Sequence, residues 1–198
     1  MKVNLRNTKI LWYLSIFNTL LFAVFLLYLP GQGELSINLY RILIVEVWAF
    51  LTACFIYIIR ILFWFKEQTA VIAAFSMFTV LLEITILITL FPGLLKESYS
   101  GSVEILMEVV SLLVAFRSFT VKAASISVPF KCFGAGIAMI SLPQLIMMLT
   151  SASLNEKLLQ ITNDIGLLIM LISLGFILNR ILRFLKNNPE ETTEHPVE

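Results

Sequence analysis

Five carboxylates lie inside, or at the edge of, long apolar segments of this 198-residue chain: Glu46, Glu83, Glu104, Glu108 and Asp164. An ionisable side chain at the centre of a bilayer costs about 2.5–3.5 kcal/mol even on the lenient insertion scale. Several carboxylates at a similar depth therefore indicate either a mutual hydrogen-bonded network or a site for a positively charged ligand. No motif in the chain names a reaction, so both interpretations stay open from the sequence.

The composition predicts the class of protein that carries these carboxylates. The chain is 59% hydrophobic and 14% charged, with a mean hydropathy of +0.94, which is too apolar for a soluble domain. Apolar runs of about 20 residues recur, the length that crosses a hydrocarbon core of about 30 Å as a helix. We predict an all-α integral membrane protein, with residues 1–186 forming a single domain of six transmembrane helices. The predicted helices cover Thr8–Leu29, Tyr40–Phe65, Thr69–Phe91, Val103–Val121, Pro129–Thr150 and Lys157–Leu182.

The distribution of basic residues predicts the orientation of the helices. Cytoplasmic loops of membrane proteins carry an excess of lysine and arginine. Of the 14 such residues, only Arg41, Lys96 and Lys157 fall on one side of the predicted membrane. The other side holds the remaining eleven: Lys2, Arg6, Lys9, Arg60, Lys66, Arg117, Lys122, Lys131, Arg180, Arg183 and Lys186. Both termini are therefore expected to be cytoplasmic, which agrees with an even number of helices.

The two ends of the chain indicate where the protein is located. The first apolar segment follows a basic start and lacks a small-residue cleavage site, so it is expected to remain as a signal-anchor helix. The last residues, 187–198, are polar and acidic with two prolines, and we expect a disordered cytoplasmic tail. The C-terminal part of the chain resembles small multi-pass bacterial membrane proteins of unknown function. A bacterial-type inner membrane is the predicted location.

Short sequence matches raise the possibility of helical-hairpin repeats. Leu29-Pro30-Gly31 and Phe91-Pro92-Gly93 each end an outward-going helix, and a glutamate follows sixteen residues after each proline, at Glu46 and Glu108. Three parallel hairpins would explain the matches, and repeats of this kind are common in transporters. The third hairpin lacks the Pro-Gly pair. Chance similarity between apolar helices is the alternative explanation.

Polar stripes predict which helix faces meet inside the bundle. Ser76, Thr79 and Glu83 share one face of the third helix, and Glu104, Glu108 and Ser111 share one face of the fourth. Polar faces cannot contact lipid cheaply, so we expect them to point inward. The same is expected of Glu46, which stands above Ala49 and Ala53 on the second helix.

The fifth and sixth helices add amide groups at the same level. Pro143 removes one backbone hydrogen bond from the fifth helix, and Gln144 follows it directly. Asn163 and Asp164 form an amide–carboxylate pair on the sixth helix. A carbonyl and an amide beside carboxylates resemble an oxygen-rich cation site. The predicted cation or proton site therefore comprises Glu83, Glu46, Glu108, Asp164, Gln144 and Asn163.

Several chemistries do not fit the sequence. The single histidine, His195, lies in the tail, and the two cysteines, Cys54 and Cys132, are expected at different depths of the membrane. No cofactor and no metal centre of the haem, zinc or iron–sulfur kind is therefore predicted. No Gly-rich phosphate loop or nucleophile elbow is present either, so we expect no catalytic residues and no nucleic-acid partner.

Two functions remain as alternatives. In the first, the protein is a proton- or cation-linked transporter or channel, and its carboxylates line an outward-facing cavity. Because adjacent carboxylates cannot all ionise, cation entry would displace protons. In the second, the protein is a non-transporting accessory, assembly or immunity-type subunit that binds another membrane protein through acidic and small-residue faces. The expected partners are membrane lipids, a cation or proton, and either a second copy or a partner membrane subunit. Carboxylates that face a cavity within one chain would favour the first function.

Overall fold

In the computed structural model, the described residues are 3–28, 33–90, 97–150 and 156–187, and they form an all-helical structure. Six α-helices follow one another along these residues. Their bounds are α1 Leu5–Tyr28, α2 Gly33–Trp64, α3 Thr69–Leu90, α4 Glu97–Phe119, α5 Ala124–Thr150 and α6 Glu156–Asn187. The helices therefore occur in the predicted order, although several begin or end elsewhere than expected.

Within the part of the chain that the structure describes, four helices are long and apolar enough to cross a membrane. The qualifying segments are Glu46–Trp64, Thr69–Ile88, Ala124–Thr150 and Lys157–Asn187. They fit a multi-pass helical membrane protein. α5 runs without interruption through both Pro129 and Pro143. α4 begins at Glu97 rather than at Val103, and this earlier start changes the depth of its carboxylates within the helix.

Two predicted features fall outside the described residues. The Pro-Gly pairs of the possible hairpin repeat lie at residues 30–31 and 92–93, which belong to the undescribed stretches between α1 and α2 and between α3 and α4. Most of the predicted tail, residues 188–198, lies beyond the last described residue.

A tight turn joins α2 to α3. Lys66 adopts a left-handed conformation with φ of 51°. The Lys66 amide donates to the Phe63 carbonyl, and the Glu67 amide donates to the Leu62 carbonyl, both at 3.0 Å. This pair of bonds is the Schellman arrangement that satisfies the last carbonyls of a helix. The turn places Glu67 beside the loop that joins α4 to α5.

Glu67 connects the α2–α3 turn to the start of α5. Its Oε1 accepts hydrogen bonds from the backbone amides of Lys122 at 3.0 Å and Ala123 at 2.6 Å. These amides directly precede α5, where unpaired N–H groups and the helix dipole favour a negative charge. The side chain is largely buried, with 8% of its surface exposed. One carboxylate therefore fastens two of the loops at this end of the bundle.

We expect Glu67→Ala to lower the free energy of unfolding by about 1.5–3 kcal/mol, because two partly buried backbone amides would lose a charged acceptor. Glu67→Gln should cost less, since a carboxamide oxygen at the same place can still accept both bonds. Thermal unfolding of the detergent-purified variants measures the difference. Equal losses for the two variants would show that the charge, rather than the acceptor oxygen, is what α5 requires.

The helices pack in chain order and close into a ring. α2, α3, α4, α5 and α6 each pack against the next, and α1 packs mainly against α6 and more weakly against α2. At the α1–α2 contact, the hydroxyls of Thr8 and Tyr57 share a hydrogen bond. At the α1–α6 contact, the Ser15 hydroxyl donates to the Leu171 carbonyl at 3.4 Å. The basic residues from Arg60 to Lys66, those around the α4–α5 link and those that end α6 lie at the same end of this ring as the start of α1.

Aromatic side chains fill the half of the bundle that lies nearer to this basic end. Phe55 of α2 contacts Phe75 and Phe78 of α3 and Phe133 of α5, with ring centroids 4.9–6.0 Å apart. Phe75 also contacts Phe130 and Phe133 of α5, at 5.8 and 6.1 Å. Phe55, Phe75, Phe130 and Phe133 are completely buried. We use the term aromatic core for five rings: Phe55, Phe75, Phe78, Phe130 and Phe133.

Glycines allow the closest helix crossings. A Cβ atom on Gly134 would lie 2.7 Å from the Ala115 carbonyl oxygen of α4. A Cβ atom on Gly136 would lie 2.8 Å from the Gly166 carbonyl oxygen of α6. Small residues let membrane helices approach until their backbones touch, and van der Waals contact then replaces the hydrophobic effect as the source of stability. α5 is therefore held closely on both sides, which fixes the wall that it contributes to the ring.

Candidate functional site

A cavity of about 470 Å³ occupies the other half of the bundle along the helix axes, and all six helices contribute to its walls. Its lining begins where the aromatic core ends, because Phe55 and Phe78 belong to both. The cavity is thus separated by buried rings from the end of the bundle that carries the basic residues. It lies in the half toward the end of α1 and the start of α2.

One wall of the cavity is polar and is built by α4, α5 and α6. Four of the six predicted site residues line it: Glu108, Asp164, Gln144 and Asn163. Glu104, Ser111 and Ser141 also contribute to this wall. Residues 104, 108 and 111 share one face of α4, as the helical spacing predicts. The polar residues of three helices therefore meet at one place inside a single chain.

Glu108 is the most deeply placed carboxylate of this wall. It stands at the middle of α4, equally far from Glu97 and Phe119. At a rise of about 1.5 Å per residue, each end of the helix is roughly 16 Å away. The predicted start of α4 at Val103 would place Glu108 five residues into the helix. The observed start at Glu97 places it eleven residues in.

The surroundings of Glu108 leave one of its oxygens without a hydrogen-bond partner. The Ser141 hydroxyl of α5 lies beside Glu108, and Glu104 lies one turn away on α4. The Oε2 atom of Glu108 is buried and has no partner among the described residues. The same holds for the Oδ1 atom of Asn163 on α6. Two acceptors of the polar wall therefore lack a donor.

Hydroxyl groups in these helices are satisfied in a different way. Ser111 donates to the Met107 carbonyl at 2.7 Å, and Thr79 donates to the Phe75 carbonyl at 2.8 Å, each within its own helix. Such bonds to the preceding turn are the usual solution for serine and threonine in apolar helices. A carboxylate cannot use it, because it has no hydrogen to donate when ionised. Oε2 of Glu108 and Oδ1 of Asn163 are thus two buried acceptors that no hydroxyl among the described residues satisfies.

The remaining walls are apolar. α1 and α2 provide Phe22, Val47, Trp48 and Leu51, and the floor consists of Phe55 and Phe78. Most of the cavity surface therefore offers van der Waals contact rather than hydrogen bonds. Pockets with a mainly apolar lining and a few convergent polar groups are typical of small-molecule sites.

Glu46 and Glu83 do not join this site. Both side chains are exposed, and neither lines the cavity. Glu46 shares an exposed face of α2 with Ala49 and Ala53. The expectation that Glu46 and Glu83 point into the bundle therefore differs from the structure, although Thr79, which was predicted to share a face with Glu83, is buried. Periodicity shows which residues share a face, but the neighbours that a face meets depend on how the helices pack.

Two features of the site were not predicted from the sequence. Ser141 was not among the predicted site residues, although it lines the cavity beside Glu108. Its spacing of three residues from Gln144 would have placed both on one face of α5. Trp48, which lines the cavity, could not be assigned to the site from the sequence, because a tryptophan in an apolar helix is indistinguishable from a packing residue.

The chemistry of the described side chains indicates a class of ligand. Within residues 3–28, 33–90, 97–150 and 156–187, no group of three or more His, Cys, Asp or Glu side chains is arranged to hold a metal ion. The site combines negative charge, free acceptors and apolar walls, which suits a ligand that carries positive charge or donates hydrogen bonds. No family model, no curated protein and no solved structure matches the chain.

Proposed function

We propose that this chain is a proton- or cation-linked membrane transporter of the channel or carrier type, whose ligand binds at the polar wall of the cavity. The observation that carries the proposal is the meeting of Glu108, Asp164, Gln144 and Asn163 on one wall within a single chain. Carboxylates at membrane depth that face a cavity mark ion or proton pathways in membrane proteins. Substrate sites of transporters also tend to lie near the middle of the membrane, as Glu108 lies at the middle of α4.

The proposal includes six membrane spans with both termini in the cytoplasm of a bacterial-type inner membrane. α4 carries Glu104, Glu108 and Arg117, a charge content that by composition alone speaks against a span. Packing on both sides, by α3 and α5, supports a spanning position, because it lets the carboxylates face the cavity. The basic residues gathered at one end of the ring support a cytoplasmic position for that end. The cavity then extends outward from the middle of the membrane, and the aromatic core lies between it and the cytoplasm.

Transport through this arrangement requires the aromatic core to move. Phe55 and Phe78 form the floor, and Phe133 packs beneath them. A ligand admitted from outside would therefore be held above the rings until the α2–α3 pair shifts relative to α5. Such alternation of access around a fixed site is the general scheme of secondary transporters.

The test compares variants of a cavity carboxylate and of an exposed one. Purified protein is screened for thermal stabilisation by Na⁺, K⁺, Mg²⁺, Ca²⁺, ammonium and organic ammonium ions, and by pH, and is then reconstituted into liposomes for flux of any ion that stabilises it or of protons. A ligand that binds only the folded protein adds about 2.7 kcal/mol at a hundredfold excess over its Kd. We expect Glu108→Gln and Asp164→Asn to abolish the response, whereas Glu83→Gln should retain it. A wild-type protein with neither response nor flux would contradict the proposal.

A second candidate function rests on the exposed acidic face. Glu46 and Glu83 project from α2 and α3, and Ala49 and Ala53 would let a further helix approach closely. An accessory or assembly subunit that binds another membrane protein would use such a face. In the experiment above, this function predicts no cation response in any variant. It further predicts that Glu83→Gln, but not Glu108→Gln, releases a co-purifying membrane subunit.

A further inference from the structure

The cavity is much larger than an inorganic ion needs. A volume of about 470 Å³ falls within the range of about 300–1,000 Å³ that small organic ligands occupy in proteins. Ca²⁺ binds six to eight oxygens at about 2.3–2.6 Å, so a bare ion would use only the polar wall. The apolar walls formed by Phe22, Trp48 and Leu51 would then face empty space or water. The size and composition of the cavity therefore favour a ligand that has an apolar body.

The polar wall specifies the other end of that ligand. Glu108 and Asp164 provide carboxyl groups, and Gln144 and Asn163 provide amides, so the wall offers several hydrogen-bond acceptors. Hydrogen bonds that involve a charged group are the stronger ones, so a ligand that donates them to a carboxylate of this wall gains affinity. An ammonium group provides both the charge and the N–H donors.

The apolar part of the lining is compatible with the same ligand. It includes two aromatic side chains, Trp48 of α2 and Phe22 of α1. Aromatic faces attract cations as well as hydrocarbon, and tryptophan does so most strongly. An organic ammonium ion could therefore place its charge at Glu108 and its hydrocarbon body among the aromatic and aliphatic side chains.

From these three observations, we infer that the cavity binds an organic ammonium ion with N–H donors and an apolar body, rather than a bare metal cation. The inference rests on the proposed function, because it names the class of ligand that the same site would transport. It goes further in requiring two features of one molecule: hydrogen-bond donors for Glu108 and Asn163, and hydrocarbon that fills the side of the cavity lined by Trp48.

Three matched probes test the inference. 4-Phenylbutylammonium has charge, N–H donors and an apolar body, (4-phenylbutyl)trimethylammonium lacks the donors, and 4-phenylbutan-1-ol lacks the charge. Binding is measured by the fluorescence of Trp48 in a variant whose other two tryptophans, Trp12 and Trp64, are replaced by phenylalanine. The thermal midpoint of the unmodified protein provides an independent measurement that needs no tryptophan replacement. Na⁺, K⁺, Mg²⁺ and Ca²⁺ are titrated in parallel.

We expect 4-phenylbutylammonium to bind most tightly, and the trimethylammonium and alcohol probes to bind about 10- to 100-fold more weakly, since each lacks part of a charged hydrogen bond. Glu108→Gln should weaken the ammonium probe by a similar factor, whereas Glu83→Gln should leave its affinity unchanged. Binding of a metal cation without binding of the ammonium probe would overturn the inference and leave the proposed transport function standing. Equal binding of the alcohol would overturn the inference and remove the support that the carboxylates give to cation transport. Binding of neither class would overturn both.

Discussion

Substituting Gly136 by alanine is expected to destabilise the protein by about 1–3 kcal/mol, despite the higher helix propensity of alanine. The added Cβ would lie 2.8 Å from the Gly166 carbonyl oxygen and 3.0 Å from the Met170 amide nitrogen. Both atoms belong to the backbone of α6, so no rotamer change can relieve the contact. The two helices would have to separate, and their close packing is what stabilises a bundle in lipid.

Gly101→Ala provides the matched control for this prediction. Gly101 also lies within a helix, α4, but a Cβ atom there would meet nothing within 4 Å. It should therefore raise stability by about 0.5–1 kcal/mol through the gain in helix propensity. Thermal unfolding of the two variants in the same detergent gives the comparison. If both variants were equally stable, α5 and α6 could not cross as closely as the structure has them.

Phe133→Ala is expected to have the second large effect, because it removes a ring from the centre of the aromatic core. Phe133 is completely buried and contacts Phe55 at 5.7 Å and Phe75 at 6.1 Å. In soluble proteins such a substitution costs about 3–5 kcal/mol, of which part is the loss of transfer from water. Lipid is as apolar as the core, so this transfer part largely disappears and the cavity part remains. We therefore expect a loss of about 2 kcal/mol.

The control for Phe133 is Phe116, whose side chain is 62% exposed on the outside of α4. In a membrane, Phe116 would face lipid, and its replacement by alanine opens no void between helices. We expect Phe116→Ala to change the thermal midpoint little. Unfolding curves for both variants in lipid nanodiscs test the contrast. Similar losses would mean that burial within the bundle confers no packing advantage over contact with lipid.

The order and type of the helices could be predicted from the sequence because hydrocarbon imposes a simple length requirement. Runs such as Thr69–Leu90 have the length and apolar composition to cross a bilayer, and the structure forms a helix there. The ends were less predictable. α4 begins at Glu97, in a polar stretch that hydropathy does not distinguish from a loop, and this start determines the depth of Glu108.

The candidate site was predictable in part for the same reason. Glu108, Asp164, Gln144 and Asn163 could be grouped because polar residues in apolar helices must avoid lipid, and all four line the cavity. Glu83 was grouped with them on the same ground, yet its side chain is exposed. The sequence of one helix does not show on which side the neighbouring helix packs, so a buried polar residue and an exposed one give the same pattern.

The sequence by itself therefore determined that the chain forms apolar helices and which residues share a face of each, because both follow from the composition and period of a single helix. Only the tertiary structure decided which faces meet. The glycine crossings at Gly134 and Gly136 bring α4, α5 and α6 together, so that Ser141 reaches Glu108. The aromatic core fills one half of the bundle along the helix axes, and the cavity lies in the other half. These are properties of contacts between distant segments, and no local pattern in the chain encodes them.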